Sequence, residues 1–223
     1  HASGFHIDYR QEGERSLDPE KYRKDAKVLE HALRTEKDPW LRSRYVFYLA
    51  QSHFGYNARE KALKRYLERT RMGFWEEEIY WSYFRAAGLK AALGHPLDDV
   101  LSTYSKAMRA CPRRAEACYY ASMACRNARR FAEGYAWAKR GLAIPQPDSG
   151  LFVEAWIYEY GLRDEFAVNA YWTERYDECA DACEILLRKA KCPDAVRGRI
   201  EQNLNFAREK LAAAKVAPCP PLP

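Results

Sequence analysis

WSYFRAAGLKAALGHPLDDVLSTYSKAMRACP, residues Trp81 to Pro112, divides into two short amphipathic segments. At helical spacing, Phe84, Ala87, Gly88 and Ala91 fall on one face of the first, and Val100, Tyr104 and Ala107 on one face of the second. Gly94-His95-Pro96 breaks the chain between them, and Pro112 ends the second. Small residues let two paired helices approach closely, and the aromatics fill the gaps beside them. The stretch therefore predicts a helical hairpin.

Large–small–small–small, turn, branched–aromatic–small, then proline is the tetratricopeptide (TPR) pattern of about 34 residues. Reading outward predicts more hairpins. Asp18-Pro19 and Asp38-Pro39 each offer an N-cap followed by proline at the first helical position. A leading helix is expected to about Thr35, with Tyr22, Ala26, Leu29 and Leu33 as its stripe. Residues 39–54 and Asn57–Arg71 make a first repeat, with Ala62, Tyr66 and Arg69 inward, and an extended elbow, Met72–Trp75, leads into Glu76–Leu93. A third repeat takes about Arg114–Asn127 and Phe131–Ala143, and a fourth about Tyr160–Trp172 and Tyr176–Lys189. Between them, Ile144–Gly150 holds two prolines and a glycine and cannot be continuous helix; Leu151–Tyr158 is apolar enough to pack on the array. A last helix, to about Lys215, has Val196, Ile200, Leu204, Ala207 and Leu211 on one face and charges on the other, as a capping helix does.

The expected fold is all-α: a TPR-like superhelical stack of about four helix-turn-helix repeats with a leading and a C-terminal capping helix. Gly4–Tyr9 alternate like a strand and Gln11–Glu14 read as a turn or loop, so residues 1–17 read as the strand and linker remnant of a preceding domain, 18–215 as the repeat domain, and 216–223 as a Pro-rich tail. Second helices recur at 59, 97, 131 and 176, and only the 34-residue step from Leu97 to Phe131 is the ideal period.

The chain carries 37 Lys and Arg against 31 Asp and Glu, a formal charge of +6. Acidic residues interleave with the basic clusters, so these read as solvated helix faces. The alternative is a basic helical-repeat array that binds nucleic acid. Cys118/Cys125 and Cys179/Cys183 share helix faces and read as small buried hydrophobes, which suits a reducing, cytoplasmic setting. No apolar run is long enough to span a membrane.

Several irregular stretches resemble the helical-repeat region that follows the catalytic domain of some bacterial family 2 glycosyltransferases. They are GERSLDPEKYRKDAKVLEHAL, RYVFYLAQS (Arg44–Ser52), MGFWEEEIY (Met72–Tyr80), CPRRAEACYYAS (Cys111–Ser122) and IPQPDSGLFVEAWIYEYGLRDEFAVNAYW (Ile144–Trp172). The resemblance implies that residues 1–12 end a catalytic domain. Transfer by that family needs an Asp-x-Asp metal motif, and no such motif and no Gln-x-x-Arg-Trp occur here. Asp98-Asp99 reads as helix capping. No residue is carried over as catalytic, and no cofactor or metal is expected in these residues. Of the histidines, none pairs at ligand spacing on one helix, and His53 sits where the repeat expects an aromatic. Asp164-Glu165 reads as a solvated edge.

Function therefore points to binding: an interaction module of a glycosyltransferase that holds acceptor or protein partner, or mediates dimerisation. In such a stack the first helix of each repeat lines a concave groove. By register the wall includes Arg44, Tyr48, Gln51, Arg85, Glu116, Tyr119, Tyr120, Met123, Arg126 and Asn127. Arg grips carboxylate or phosphate with two prongs, and Tyr stacks and hydrogen-bonds. That set suits an extended protein or peptide segment, or a glycan.

Overall fold

The computed structural model describes residues 17–189 and 192–216. The expected strand within residues 1–17, the tail after 216 and Cys219 lie outside the described residues, apart from exposed Leu17 and helical Val216. Among the described residues helices are the only regular elements, with no strand. They group into two compact units that divide between Phe74 and Trp75.

The first unit holds α1 (Lys21–Thr35), α2 (Pro39–Gly55) and α3 (Arg59–Arg69). Asp38 caps α2 as expected, accepting from the Leu41 N–H at 2.8 Å. Asp18 does not cap α1. Its Oδ1 accepts from the Glu20 N–H at 2.9 Å, which holds residues 18–20 as a turn and delays the helix to Lys21. Arg42 donates to the carbonyls of Leu33 and Glu36 at 2.9 and 2.7 Å, so one side chain of α2 closes the end of α1. Val46, Phe47, Leu49, Ala50, Ala62 and Tyr66 are the core. Arg69, expected at a small position, is fully buried and donates to the Gly73 carbonyl at 2.9 Å. Gly73 and Phe74 both have positive φ, +72° and +65°, so the elbow is left-handed there rather than extended.

The second unit holds α4 (Glu76–Ala92), α5 (Leu97–Ala110), α6 (Glu116–Asn127), α7 (Phe131–Leu142), a π-helical turn (Ile157–Gly161), α8 (Leu162–Trp172), α9 (Tyr176–Lys189) and α10 (Asp194–Val216). The pairs α4/α5, α6/α7 and α8/α9 are hairpins, and α10 closes over α9 and α8. The stripe Val100, Tyr104 and Ala107 is buried, as are Cys179, Cys183 and Leu186, and Ile200, Leu204 and Ala207. On α4 the buried hydrophobic set is Tyr80, Phe84, Ala86, Ala87 and Leu89, whereas Gly88 and Ala91 are exposed. The reason is that α4 packs on two sides: Phe84 meets Tyr104 of α5 and Tyr120 of α6, which turns Gly88 and Ala91 to solvent. Helix starts at 59, 97, 131 and 176 reproduce the uneven repeat spacing.

Every first-to-second helix turn closes in the same way. The N–H groups of Ala58, His95, Arg130 and Arg175 bond back to the carbonyls of His53, Lys90, Cys125 and Ala170. The residue before each donor is left-handed: Asn57 (φ 62°), Gly94 (76°), Arg129 (60°) and Glu174 (62°). This is the Schellman closure. Only Asn57 and Gly94 have the residue type that announces it. Glu174→Gly removes a Cβ from an unfavourable backbone region, and we expect a gain of about 0.5–1 kcal/mol by urea denaturation. An unchanged or lower midpoint would show that the turn is not strained.

Five cysteines (Cys111, Cys118, Cys125, Cys179 and Cys183) are buried, as read from the helix faces. Burial pushes the Cys118 thiol up to about 12 and the Cys111 and Cys125 thiols up to about 11, so all three are protonated at neutral pH. His53 is buried, its Nδ1 2.7 Å from the Tyr56 hydroxyl. Burial depresses its basicity below the ordinary 6.5, against the pull of Glu30. A depressed base stabilises the fold above the unfolded value and loses that contribution as pH falls through the folded one. The thermal midpoint should thus fall as pH drops below about 6.5, and His53→Phe should flatten that slope between about pH 7 and 5. An unaltered slope would show that His53 does not govern it.

Candidate functional site

The predicted wall residues separate into two groups. In the second unit, most are engaged by their own neighbours. Arg126 on α6 grips Glu165 on α8, with Nη2 2.9 Å and Nε 3.0 Å from the carboxylate oxygens. The Tyr120 hydroxyl donates to Glu154 at 3.0 Å, and burial pushes that phenol up. Tyr119 meets Trp156 edge to face at 4.9 Å. Arg85 lies over the Trp81 ring, 5.6 Å from its centroid. Asn127 is exposed at the end of α6. The partners of Tyr119 and Tyr120 come from the irregular segment after α7. Phe152 reaches Trp81 at 4.9 Å between centroids, and Trp156 and Tyr160 lie 5.7 Å apart. The π-helical turn supports Trp156: a Cβ at Gly161 would stand 2.7 Å from its ring, so only glycine admits this approach.

Beneath this aromatic layer is a buried ion cluster. Arg114, entirely buried, lies between Glu77 at 2.5 Å and Glu116 at 2.8 Å, both at most 2% exposed. Glu116 also accepts from the hydroxyls of Tyr80 and Tyr158 at 3.1 and 2.8 Å and from the Glu154 N–H at 3.3 Å. Arg114 Nη1 and Glu77 Oε2 take the Leu151 carbonyl and N–H at 3.0 and 3.2 Å. Arg113 reaches Glu76 and Glu77 from outside. Burial alone would raise the Glu116 carboxyl; Arg114 outweighs it and holds the group below its ordinary range. Glu116, expected on the wall, is therefore a structural anchor, and Arg114 is not a solvated surface cation. The cluster clamps the segment from Leu151 to Tyr158 onto α4 and α6.

Asp164 and Glu165 correct the expectation of a solvated edge. Both are buried, and each faces a different neighbour: Glu165 takes Arg126 of α6, and Asp164 takes Arg199 of α10 at 2.5 Å. Adjacent helical residues point apart, so one pair of carboxylates ties one helix to the repeat before it and to the cap after it.

In the first unit the predicted residues border open space. Tyr48, Gln51, Tyr22, Asp25, Val28, Leu29 and Ser52 line an open groove of about 330 Å³ between α1 and α2. Tyr48 is 45% exposed, Tyr22 43% and Val28 67%. The Tyr22 ring lies on the backbone of Gly55, where a Cβ would stand 2.5 Å away. Arg44 donates to the Tyr48 hydroxyl at 2.6 Å and sits 5.0 Å from its ring centroid, which fixes the ring beside the groove. The Gln51 Nε2 is sealed from solvent and has no hydrogen-bond partner among the described residues. A buried amide left unsatisfied costs about 1–3 kcal/mol, which an acceptor would recover once the side chains sealing the nitrogen turn aside. Arg44, Tyr48 and Gln51 were legible by register. Tyr22, Val28 and Leu29 were visible only as a helix stripe and its neighbour.

Among the described residues, no group of His, Cys, Asp and Glu is arranged to hold a metal ion, and no helix is long and apolar enough to cross a membrane. No protein-family model matches the chain, and no curated protein matches it. Solved structures do. A thermophilic TPR protein from Thermus thermophilus aligns at TM-score 0.50 and 18% identity over 83% of this chain and 91% of its own. A double mutant of MamA RS-1 aligns at 0.54 and 11%, over 86% and 88%. BtubC from P. vanneervenii aligns at 0.51 and 14%, over 91% and 78%. With the repeated hairpins and their common closure, these likenesses make the chain an all-α, TPR-like helical-repeat protein.

Proposed function

We propose that the chain is a non-catalytic interaction module whose α1–α2 groove holds an extended segment of a partner protein. The observation that carries this reading is the unpaired Gln51 amide in a groove flanked by Tyr22 and Tyr48. An extended peptide supplies what the groove lacks: an apolar side chain for Val28 and Leu29 and, once the side chains sealing it turn aside, a backbone carbonyl for the Gln51 nitrogen. The TPR-like fold supports a scaffold role, since stacked helical hairpins present extended surfaces to partners.

The quoted resemblance supports a setting beside the catalytic domain of a family 2 glycosyltransferase, where the module would hold a partner for that enzyme. No transfer is expected from the chain alone, because the buried carboxylates of Glu77, Glu116, Asp164 and Glu165 are occupied by arginines. Peptides selected from a random display library on the folded chain, then measured by calorimetry, test the binding role. Selected sequences should share an apolar residue in an extended core. Failure to enrich any peptide, or detectable nucleotide-sugar turnover by the purified chain, would overturn the reading.

A further inference from the structure

The charge of the chain is unevenly placed. Residues 17–74 contain 14 Lys and Arg against 8 Asp and Glu, a balance of +6 that equals that of the whole chain. Much of the excess lies on α3 and the turn after it: between Arg59 and Met72 there are 6 basic and 2 acidic residues. Of the two acids, Glu68 is already taken by Arg65 at 2.7 Å. Lys61, Lys64 and Arg71 are exposed, and among the described residues none of them pairs with a carboxylate. Lys64 and Arg71 line an open hollow of about 500 Å³ together with Leu67, Glu68 and Met72.

Two apolar side chains and two unpaired cations lining one hollow, whose single carboxylate is held by Arg65, make a specific combination. We propose that this face of α3 docks an acidic segment of a partner protein carrying one apolar side chain. The apolar side chain fills the hollow against Leu67 and Met72, and carboxylates beside it meet Lys64 and Arg71. Charge complementarity names the carboxylates, and Leu67 and Met72 name the apolar side chain. A nucleic acid would use the cations but has no apolar side chain to place, and a lipid surface is flat where this site is hollow. The site is separate from the α1–α2 groove, so each stands or falls alone.

The test is fluorescence anisotropy with a labelled peptide of about 12 Glu and Asp residues bearing one central Leu, on the full chain. Binding should weaken steeply between about 50 and 200 mM salt. The same peptide with Ser for Leu should bind about 10-fold more weakly, the worth of one buried Leu. Lys64→Glu/Arg71→Glu should bind at least about 10-fold more weakly, while Lys27→Glu, which removes the same kind of charge from α1, should match wild type. Circular dichroism melts of the variants confirm that they fold. Several results would overturn the proposal: no binding at low salt, equal binding of the Leu and Ser peptides, or equal loss in Lys27→Glu. So would an oligothymidine or phosphatidylserine vesicles binding where the peptide does not.

Discussion

Arg114→Ala should destabilise the second unit by about 3–5 kcal/mol, read as a shift in urea midpoint. The substitution leaves Glu116 buried without a cation and Glu77 with only half-exposed Arg113, and it also frees the Leu151 carbonyl. The loss should exceed that of Arg113→Ala, because Arg113 is half exposed and its contacts to Glu76 and Glu77 are screened by water. A control separates the worth of the cluster from the penalty of breaking it. Replacing Arg114, Glu77 and Glu116 together by Met, Leu and Leu should recover much of the stability, since no buried charge is left alone. The segment from Leu151 to Tyr158 would then lose its anchors and become more open to proteolysis than in wild type. An Arg114→Ala protein as stable as wild type would mean that the cluster does not hold this segment.

Tyr48→Ala should weaken a display-selected peptide by about 10- to 100-fold, as truncation of a central aromatic does at an interface. Gln51→Met gives a sharper signature. In the free protein it removes an amide whose nitrogen has no partner, so stability should hold or rise. In the complex it removes the donor to the bound backbone, and affinity should fall about 5- to 10-fold. Stability and affinity thus move in opposite directions, which a merely structural residue would not do. Arg126→Ala should behave in the reverse sense. It leaves Glu165 buried and unpaired and costs stability, with little effect on the peptide.

Much of the fold was legible in the residues themselves. Helix periodicity placed the hairpins, and Val100, Tyr104 and Ala107 are buried where the pattern put them. The misses share a cause. Arg114, Asp164 and Glu165 look like surface residues by type, and only their tertiary surroundings supply the partners that bury them. Gly88 and Ala91 look like helix-packing residues, and only the position of α4 between two neighbours exposes them. The left-handed turns at Arg129 and Glu174 carry no glycine to announce them. For the candidate site, register named Tyr48 and Gln51, which border the first-unit groove, but spread the candidates over several repeats. It could not foresee that residues 151–160 fill the face of α4 and α6 and occupy Tyr119 and Tyr120, or that Glu165 of α8 takes Arg126.

Hydrogen–deuterium exchange of the chain with and without a display-selected peptide tests the binding role most directly. If the groove in the first unit holds the partner, protection should rise in α1 and α2, across Tyr22–Leu29 and Tyr48–Ser52, with Tyr119–Asn127 unchanged. Protection confined to Tyr119–Asn127, with α1 and α2 unaffected, would contradict it.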